Sequence, residues 1–366
     1  GSTLLQFCST TFDATVAEIF TAICSGATLV LRDDRWLTDT RTFWQLCERY
    51  AISHATLPWQ FWRMLCEESE GPLPSSLRAL WVGGEAADPA MLTRWLEKYP
   101  HTPQLVNCYG PTETSVIATA HTPVAGEAHI ASIGKPIANV RAYILDEAGQ
   151  LLPQGATGEL VIGGCGVTRG YLNLPGVGAE RFVSDPFSDQ PDARMYRTGD
   201  LASWLDDGRL MYHGRDDHQV KIRGFRIEPG EIETRLNQHP QIRESLVLAE
   251  EDHHGSNQLL AWFVPAAGLA CPTEAQLRDW LQQSLPDYMI PAALMALQTM
   301  PVTANGKRDR SALPRPTVTE SVRGQPPQTP TEQQLAAIWQ SLLQQPELSR
   351  DAHFFRHGGH SLLAVR

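Results

Sequence analysis

Residues 214–233 read GRDDHQVKIRGFRIEPGEIE. Val220-Lys-Ile-Arg223 alternates apolar and basic side chains as a half-buried strand does, and Pro229 stands where a helix's first turn tolerates proline. A helix is expected over 229–239 and another near 273–284, so a small α+β unit begins at about Asp217. Upstream the pattern differs. Residues 15–31 predict an amphipathic helix (Val16, Ile19, Phe20, Ile23) followed by a short strand from Ala27 to Leu31. Residues 41–50 and 59–67 are helical in pattern, and Leu77-Arg-Ala-Leu-Trp-Val82 reads as a buried strand turning at Gly83-Gly84 into a helix near Pro89–Tyr99. This alternation predicts α/β layering. From Ile133 to His213 short strands separated by Gly, Asp and Pro turns take over, as at Leu145-Asp-Glu-Ala-Gly149. Residues 314–330, PRPTVTESVRGQPPQTP, read as a linker, and a helix over 331–345 opens a third unit.

Composition narrows the function classes. At 366 residues the chain can build two or three cores, and 42% hydrophobic with 19% charged residues is a globular balance. A formal net charge of −11 disfavours nucleic acid as a partner. No apolar run approaches a membrane span and no signal peptide opens the chain, so no membrane association is expected. Seven scattered cysteines without a CxxC pair fit free thiols in a reducing cytoplasm.

Six stretches occur in one order: NCYGPTET (107–114), GELVIGGCGVTRGYLN (158–173), YRTGDL (196–201), the 214–233 block, LPDYMIP (285–291) and NGKRDR (305–310), with FFRHGGHSLLA (354–364) after them. Together they resemble the adenylation domain of a nonribosomal peptide synthetase, within the wider adenylate-forming superfamily, running into the start of a peptidyl carrier domain. The resemblance implies an α/β fold with four parts. These are a layered core with a small β-barrel-like subdomain (1–216), a mobile α+β lid (217–315), a linker (316–330) and an incomplete all-α carrier (331–366). The family's Thr/Ser/Gly-rich phosphate loop, normally upstream of the Phe12-Asp13 motif, has no counterpart here, so the chain is expected to be cut at both ends.

Each motif has a plain reading beside the one the resemblance implies. Gly110-Pro111 forces a turn that holds Tyr109, Thr112 and Glu113 at one loop tip. By resemblance Asn107 and Tyr109 bind the nucleotide, Tyr109 through adenine, Thr112 contacts phosphate and Glu113 holds Mg²⁺. Asp200, after Thr-Gly, is a turn former or cap on the plain reading; a carboxylate can also accept from two ribose hydroxyls, the role the resemblance gives it with Arg215 assisting. Asp217 resembles the hinge about which the lid turns, and Asp217, Lys221 and Lys307 are the expected catalytic set. Asn305-Gly-Lys307 is a turn lysine unless, as the resemblance implies, Lys307 bridges the substrate carboxylate and phosphate. Arg308 stands where the family carries an aliphatic residue. Ser361 is a helix N-cap on one reading and the 4′-phosphopantetheine attachment site on the other, which brings in a phosphopantetheinyl transferase. His353, His357 and His360 match no zinc spacing.

Asp13 resembles the aspartate that pairs with a substrate α-ammonium, although alone it reads as a helix cap. Ala14, Ala17, Thr56, Trp81, Gly83, Cys108, Val116 and Ile117 are expected to line the side-chain pocket, with Ala17 and Gly83 leaving room. Besides Asp13 none is charged, and a buried charge without a partner is costly, so a neutral, mainly apolar α-amino acid is expected. The expected activity is ATP-dependent aminoacyl-adenylate formation and thioesterification, with condensation or other synthetase domains as neighbours. The alternatives are an acyl-coenzyme A ligase of the same superfamily and an inert fragment.

Overall fold

The computed structural model describes residues 1–69, 71–216, 219–222, 225–251, 257–301, 309–310, 312–315, 325–343, 347–352 and 354. The chain divides into two compact units, Gly1–Asp217 and His218–Arg366.

In the first unit, strands and helices alternate as β1 (Thr3–Gln6), α1 (Ala14–Ser25), β2 (Thr28–Leu31), α2 (Thr40–Arg49), β3 (His54–Pro58), α3 (Trp59–Glu68), β4 (Ala79–Gly83), α4 (Pro89–Lys98) and β5 (Gln104–Tyr109). β6 (Thr119–His121) and β7 (Lys135–Pro136) follow. The sheet runs β2-β1-β3-β4-β5-β6-β7, parallel through β5 and antiparallel at β6 and β7. Helical crossovers are what parallel pairing requires. The Asp39 and Asp88 carboxylates start α2 and α4 by accepting from Thr42 N (2.7 Å) and Ala90 N (2.9 Å). Phe43, Trp62 and Trp95 lie within the core, with the two indoles 5.5 Å apart.

Helix α1 departs from the sequence expectation. Its apolar stripe faces outward, with Val16, Phe20 and Ile23 48, 58 and 66% exposed, while Thr15, Glu18 and Ala22 are buried. Glu18 is buried because its carboxylate accepts from the Phe7 and Cys8 amides (3.1 and 3.2 Å) and from the Gln6 side chain (3.3 Å).

A second sheet, antiparallel, follows: β8 (Val140–Leu145), β9 (Gly158–Gly164), the short helix α5 (Pro175–Gly178), β10 (Phe182–Ser184), β11 (Arg194–Trp204) and β12 (Leu210–Arg215). Its order is β10-β11-β9-β8, with β12 also paired to β11. The long strand β11 pairs with β10 through its first residues and with β12 through its last, with register shifts after Arg197 and Leu201. Bulges of this kind re-aim side chains, and Asp200 sits between these two.

The second unit contains the hairpin β13 (Val220–Ile222) and β14 (Phe225–Ile227), then α6 (Pro229–Asn237), β15 (Ile242–Glu251), β16 (Asn257–Pro265), α7 (Glu274–Gln282) and β17 (Ala293–Ala296). β15 is antiparallel and β17 parallel to β16. Pro229 is the first residue of α6, and Thr273 with Gln276 forms a capping box on α7. Ile227, Ile232, Leu236, Leu277 and Leu281 build the core between helices and sheet. Trp262 on β16 donates its indole N–H to the Pro314 carbonyl (2.8 Å), and Leu313 packs with Leu248 and Leu297. Helix α8 (Pro330–Leu343) closes a small cluster in which Leu343 meets Leu348 and Phe354. Among the described residues no helix is long and apolar enough to cross a membrane.

Candidate functional site

β5 ends at Tyr109, and the chain turns through Gly110-Pro111 into a single turn over Thr112–Thr114. A side chain at Gly110 would place its Cβ 2.3 Å from the Val116 carbonyl oxygen, so only glycine lets the loop double back so tightly. Ser115 and Val116 take φ of 62° and 75°, a conformation rare for a β-branched residue. Thr112 is exposed at the tip and Glu113 is buried.

Tyr109, Asp200 and Arg215, far apart in sequence, meet here. Asp200 pairs in register with Arg215 across β11 and β12; its Oδ1 accepts from Arg215 Nη1 (2.6 Å) and its Oδ2 from the Tyr109 hydroxyl (2.5 Å). Arg215 also donates to the Thr198 carbonyl (2.9 Å). Burial and the Asp200 charge push the Tyr109 phenol well up, so it stays a donor. Asp200 is therefore neither a turn former nor a helix cap, the plain readings of Thr-Gly-Asp, but lies inside a bulged strand. The Tyr109 ring is 7% exposed and packs beside Ala118 and Ile133, so the stacking face implied by resemblance is largely covered. Asn107 is 2% exposed and donates to the Ser132 carbonyl (2.9 Å), a bond that ties β5 to the segment entering β7.

Glu113 Oε1 accepts from two phenols, Tyr171 (2.6 Å) and Tyr196 (2.9 Å). Burial, then the hydrogen bond to Glu113, drives the Tyr171 phenol upward, so it too remains protonated. Glu159 on β9 accepts from Arg197 Nε (2.8 Å) and from the Gly199 amide (3.2 Å), steadying the backbone just before Asp200. Sequence reasoning gave no role to Glu159, Tyr171 or Tyr196, although all three lie inside quoted motifs.

A buried carboxylate with hydroxyl partners offers hard oxygen chemistry. Among the described residues no group of three or more His, Cys, Asp or Glu converges. Such a donor set fits Mg²⁺, which is commonly held by one or two carboxylates together with substrate phosphates and water.

The expected pocket residues lie on neighbouring strands and loops. Register pairs Thr56 with Trp81 and Gly83 with Cys108, so all four share one face of the sheet. All four are half-buried, whereas Leu57, Val82 and Asn107 on the opposite face are buried. A Cβ on Gly83 would fall 2.6 Å from the Cys108 carbonyl oxygen, so this glycine serves the strand spacing as well as any room in a pocket. Burial pushes the Cys108 thiol up to about 12, which keeps it protonated. Val116 and Ile117 follow in the loop, half-buried, as are Asp13, Ala14 and Ala17 around the start of α1. Asp13 occupies the N-cap position, yet its side chain makes no cap hydrogen bond. The plain reading as a cap therefore fails.

Lys221 lies on β13 opposite Arg226 of β14. Asp217, Lys307, Arg308, Ser361 and the three histidines 353, 357 and 360 lie outside the described residues.

Family models for "AMP-binding enzyme" and "AMP-binding enzyme C-terminal domain" match residues 1–172 and 231–307. The chain is 42% identical over 365 residues to a probable non-canonical nonribosomal peptide synthetase, CymA, of Salinispora arenicola, covering 100% of this chain and 4% of that protein. It is 41% identical over 365 residues to tyrocidine synthase 1 of Brevibacillus parabrevis, covering 98% of this chain and 32% of that one. The chain thus spans a third or less of these curated relatives. Among solved structures it resembles holo-PA1221, an NRPS protein containing adenylation and PCP domains bound to a vinylsulfonamide inhibitor. That match has a TM-score of 0.80 and 32% identity, covering all of this chain and 60% of that one. A four-domain nonribosomal peptide synthetase, holo-AB3403, bound to AMP and glycine, matches with a TM-score of 0.54 and 35% identity over all of this chain and 27% of that one.

Proposed function

The chain belongs to the AMP-binding enzymes, and from that premise we propose that it is the amino-acid-activating part of a nonribosomal peptide synthetase. The observation that carries this reading is the meeting of Tyr109, Asp200 and Arg215 beside the loop bearing Thr112 and Glu113. In the reaction a carboxylate oxygen of the amino acid attacks the α-phosphorus of ATP, and pyrophosphate leaves. Asp200 has two carboxylate oxygens suited to two vicinal ribose hydroxyls, and Arg215 keeps it aimed. Thr112, exposed at the loop tip, offers a hydroxyl to phosphate. Glu113 would hold Mg²⁺ when that ion is bound, and the ion would supply charge neutralisation at the phosphates.

Asp13 anchors the substrate ammonium; its carboxylate is not spent on capping α1, which supports this role. The neutral residues 14, 17, 56, 81, 83, 108, 116 and 117 favour a neutral, mainly apolar side chain on the substrate. Lys307, a compact ammonium, meets the developing charge at carboxylate and phosphate. The lid beyond Asp217 then turns, so that one cavity serves two half-reactions. Ser361 would carry a phosphopantetheine arm, installed by a phosphopantetheinyl transferase, whose thiol would accept the aminoacyl group with AMP as the leaving group. Condensation or other synthetase domains are the expected neighbours.

Amino-acid-dependent ATP–pyrophosphate exchange tests the proposal in the complete synthetase module, with an amino-acid panel and acyl acids as a second arm. Exchange peaking with one neutral amino acid is expected. A charged amino acid as best substrate overturns the pocket reading, and an amine-less acid outcompeting every amino acid makes the protein an acyl ligase.

A further inference from the structure

The stretch Gly158–Asn173 is a quoted motif to which the activation reading gives no task. It wraps the loop that carries Glu113. The Thr168 amide donates to the Glu113 carbonyl (2.9 Å), and the Ser115 hydroxyl donates to the Gly166 carbonyl (2.7 Å). Tyr171, at the end of this wrap, donates to Glu113 Oε1 (2.6 Å), and Tyr196 on β11 donates to the same oxygen (2.9 Å). The two phenols themselves lie 3.5 Å apart. Three segments separated by 58 and 83 residues of chain thus converge on one carboxylate oxygen.

We infer that Tyr171 and Tyr196 are positioning residues for Mg²⁺ at Glu113, holding one carboxylate oxygen so that the group's rotation is fixed before metal and nucleotide arrive. The inference rests on the reading of Glu113 as the metal-binding carboxylate. The physical argument concerns rotation. A lone glutamate turns about its terminal torsion and spreads its two oxygens over a broad arc. Two neutral hydroxyl donors on one oxygen remove that freedom and bring no charge of their own. A lysine or arginine in the same place would compete with the cation for the carboxylate; a neutral donor steers without competing. Mg²⁺ demands near-ideal octahedral geometry, so a fixed carboxylate is of more use to it than to a permissive ion such as Ca²⁺. The second phenol supports the first. Tyr196 is fully buried against Phe182, which in turn meets Tyr171, so the pair is braced by a packed aromatic edge.

The test compares Tyr171→Phe, Tyr196→Phe and Glu113→Gln with the parent in the complete module. Calorimetry measures ATP binding with EDTA and over a Mg²⁺ titration, with thermal unfolding followed alongside. Losing one hydroxyl should raise the half-saturating Mg²⁺ concentration about three- to tenfold, the scale of a single hydrogen bond, while metal-free ATP binding stays as in the parent. Tyr171→Phe is the cleaner variant because Tyr171 is only half-buried; Tyr196→Phe checks it from the other strand. A Ca²⁺ titration should show a smaller shift than Mg²⁺. If Glu113→Gln moves the Mg²⁺ dependence and neither tyrosine variant does, the inference is overturned and the metal assignment stands. If Glu113→Gln leaves it unmoved, the assignment of Glu113 falls and the inference with it. Equal weakening of metal-free and metal-dependent binding by the tyrosine variants would make the phenols packing residues and overturn it too.

Discussion

The two sides of the first unit hold their carboxylates by opposite means. On the side formed by β5, β9, β11 and β12, each carboxylate is locked from several directions. Asp200 is held by Arg215 and Tyr109, Glu113 by Tyr171 and Tyr196, and Glu159 by Arg197 and the Gly199 amide. On the side formed by the start of α1, Asp13 makes no cap hydrogen bond, and the carboxylate that does the holding is a different one. Glu18, one turn further on, fixes the backbone of Phe7 and Cys8, which leads toward Asp13. The first region stiffens its carboxylate side chains; the second stiffens the chain and leaves the side chain at liberty. In terms of the proposed function, the nucleotide is the same in every turnover and meets a prebuilt frame. The amino-acid side is the one that can change its occupant without disturbing a network.

Substitutions can break that contrast. The largest effect is expected for Asp200→Ala. It removes the ion pair with the Arg215 guanidinium, which is 9% exposed, and breaking such a buried pair costs about 3–5 kcal/mol. Urea unfolding should show this loss together with abolished ATP binding; wild-type stability would mean that the locked side is not locked. Asp13→Ala should separate the two properties. Loss of one charge-assisted hydrogen bond to the substrate ammonium predicts a roughly ten- to hundredfold fall in kcat/KM for exchange, with stability changed by no more than about 0.5 kcal/mol. A large stability loss in this variant would show that Asp13 belongs to a network after all.

The smallest effect, and the sharpest test of the backbone-holding side, concerns Glu18. Burial raises its carboxyl above the usual range, against the pull of the Phe7 and Cys8 amides. A raised folded value means that its stabilising contribution is complete below the ordinary value near pH 4.5 and is lost as pH rises through the folded value. The stability difference between wild type and Glu18→Gln, followed by denaturant titration, should therefore shrink as pH rises above 4.5. A difference that is flat or grows over that window contradicts the assignment.

The order of motifs made the α/β core, the α+β second unit and most helix limits legible from sequence, because periodicity and capping are local. Asp88 before Pro89 and Thr273 before Gln276 announce their helices within a few residues. What local pattern leaves open depends on partners far away in the chain. The stripe Val16, Phe20, Ile23 reports which face of α1 is apolar, but period alone does not say which face is covered, and here the covered one carries Glu18. Asp200 looks like a turn residue because Thr-Gly-Asp is common in turns. Its place in a strand is decided by Arg215, fifteen residues on, and by Tyr109, ninety-one residues back. Tyr171 was visible inside a quoted motif, yet only the wrap of residues 166–171 around the Glu113 loop gives its hydroxyl a target.

The bond from Trp262 to the Pro314 carbonyl has a mechanical meaning. The last strand of the β15–β17 sheet in the second unit ends at Ala296, but the chain is pinned again to its middle strand at Pro314, with Leu313 pressed against the same sheet. The sheet thus holds the chain at Pro314, well beyond its last strand, so a pull arriving from the chain after that point would be borne by the Trp262 indole bond and the Leu313 contact before it reached β17.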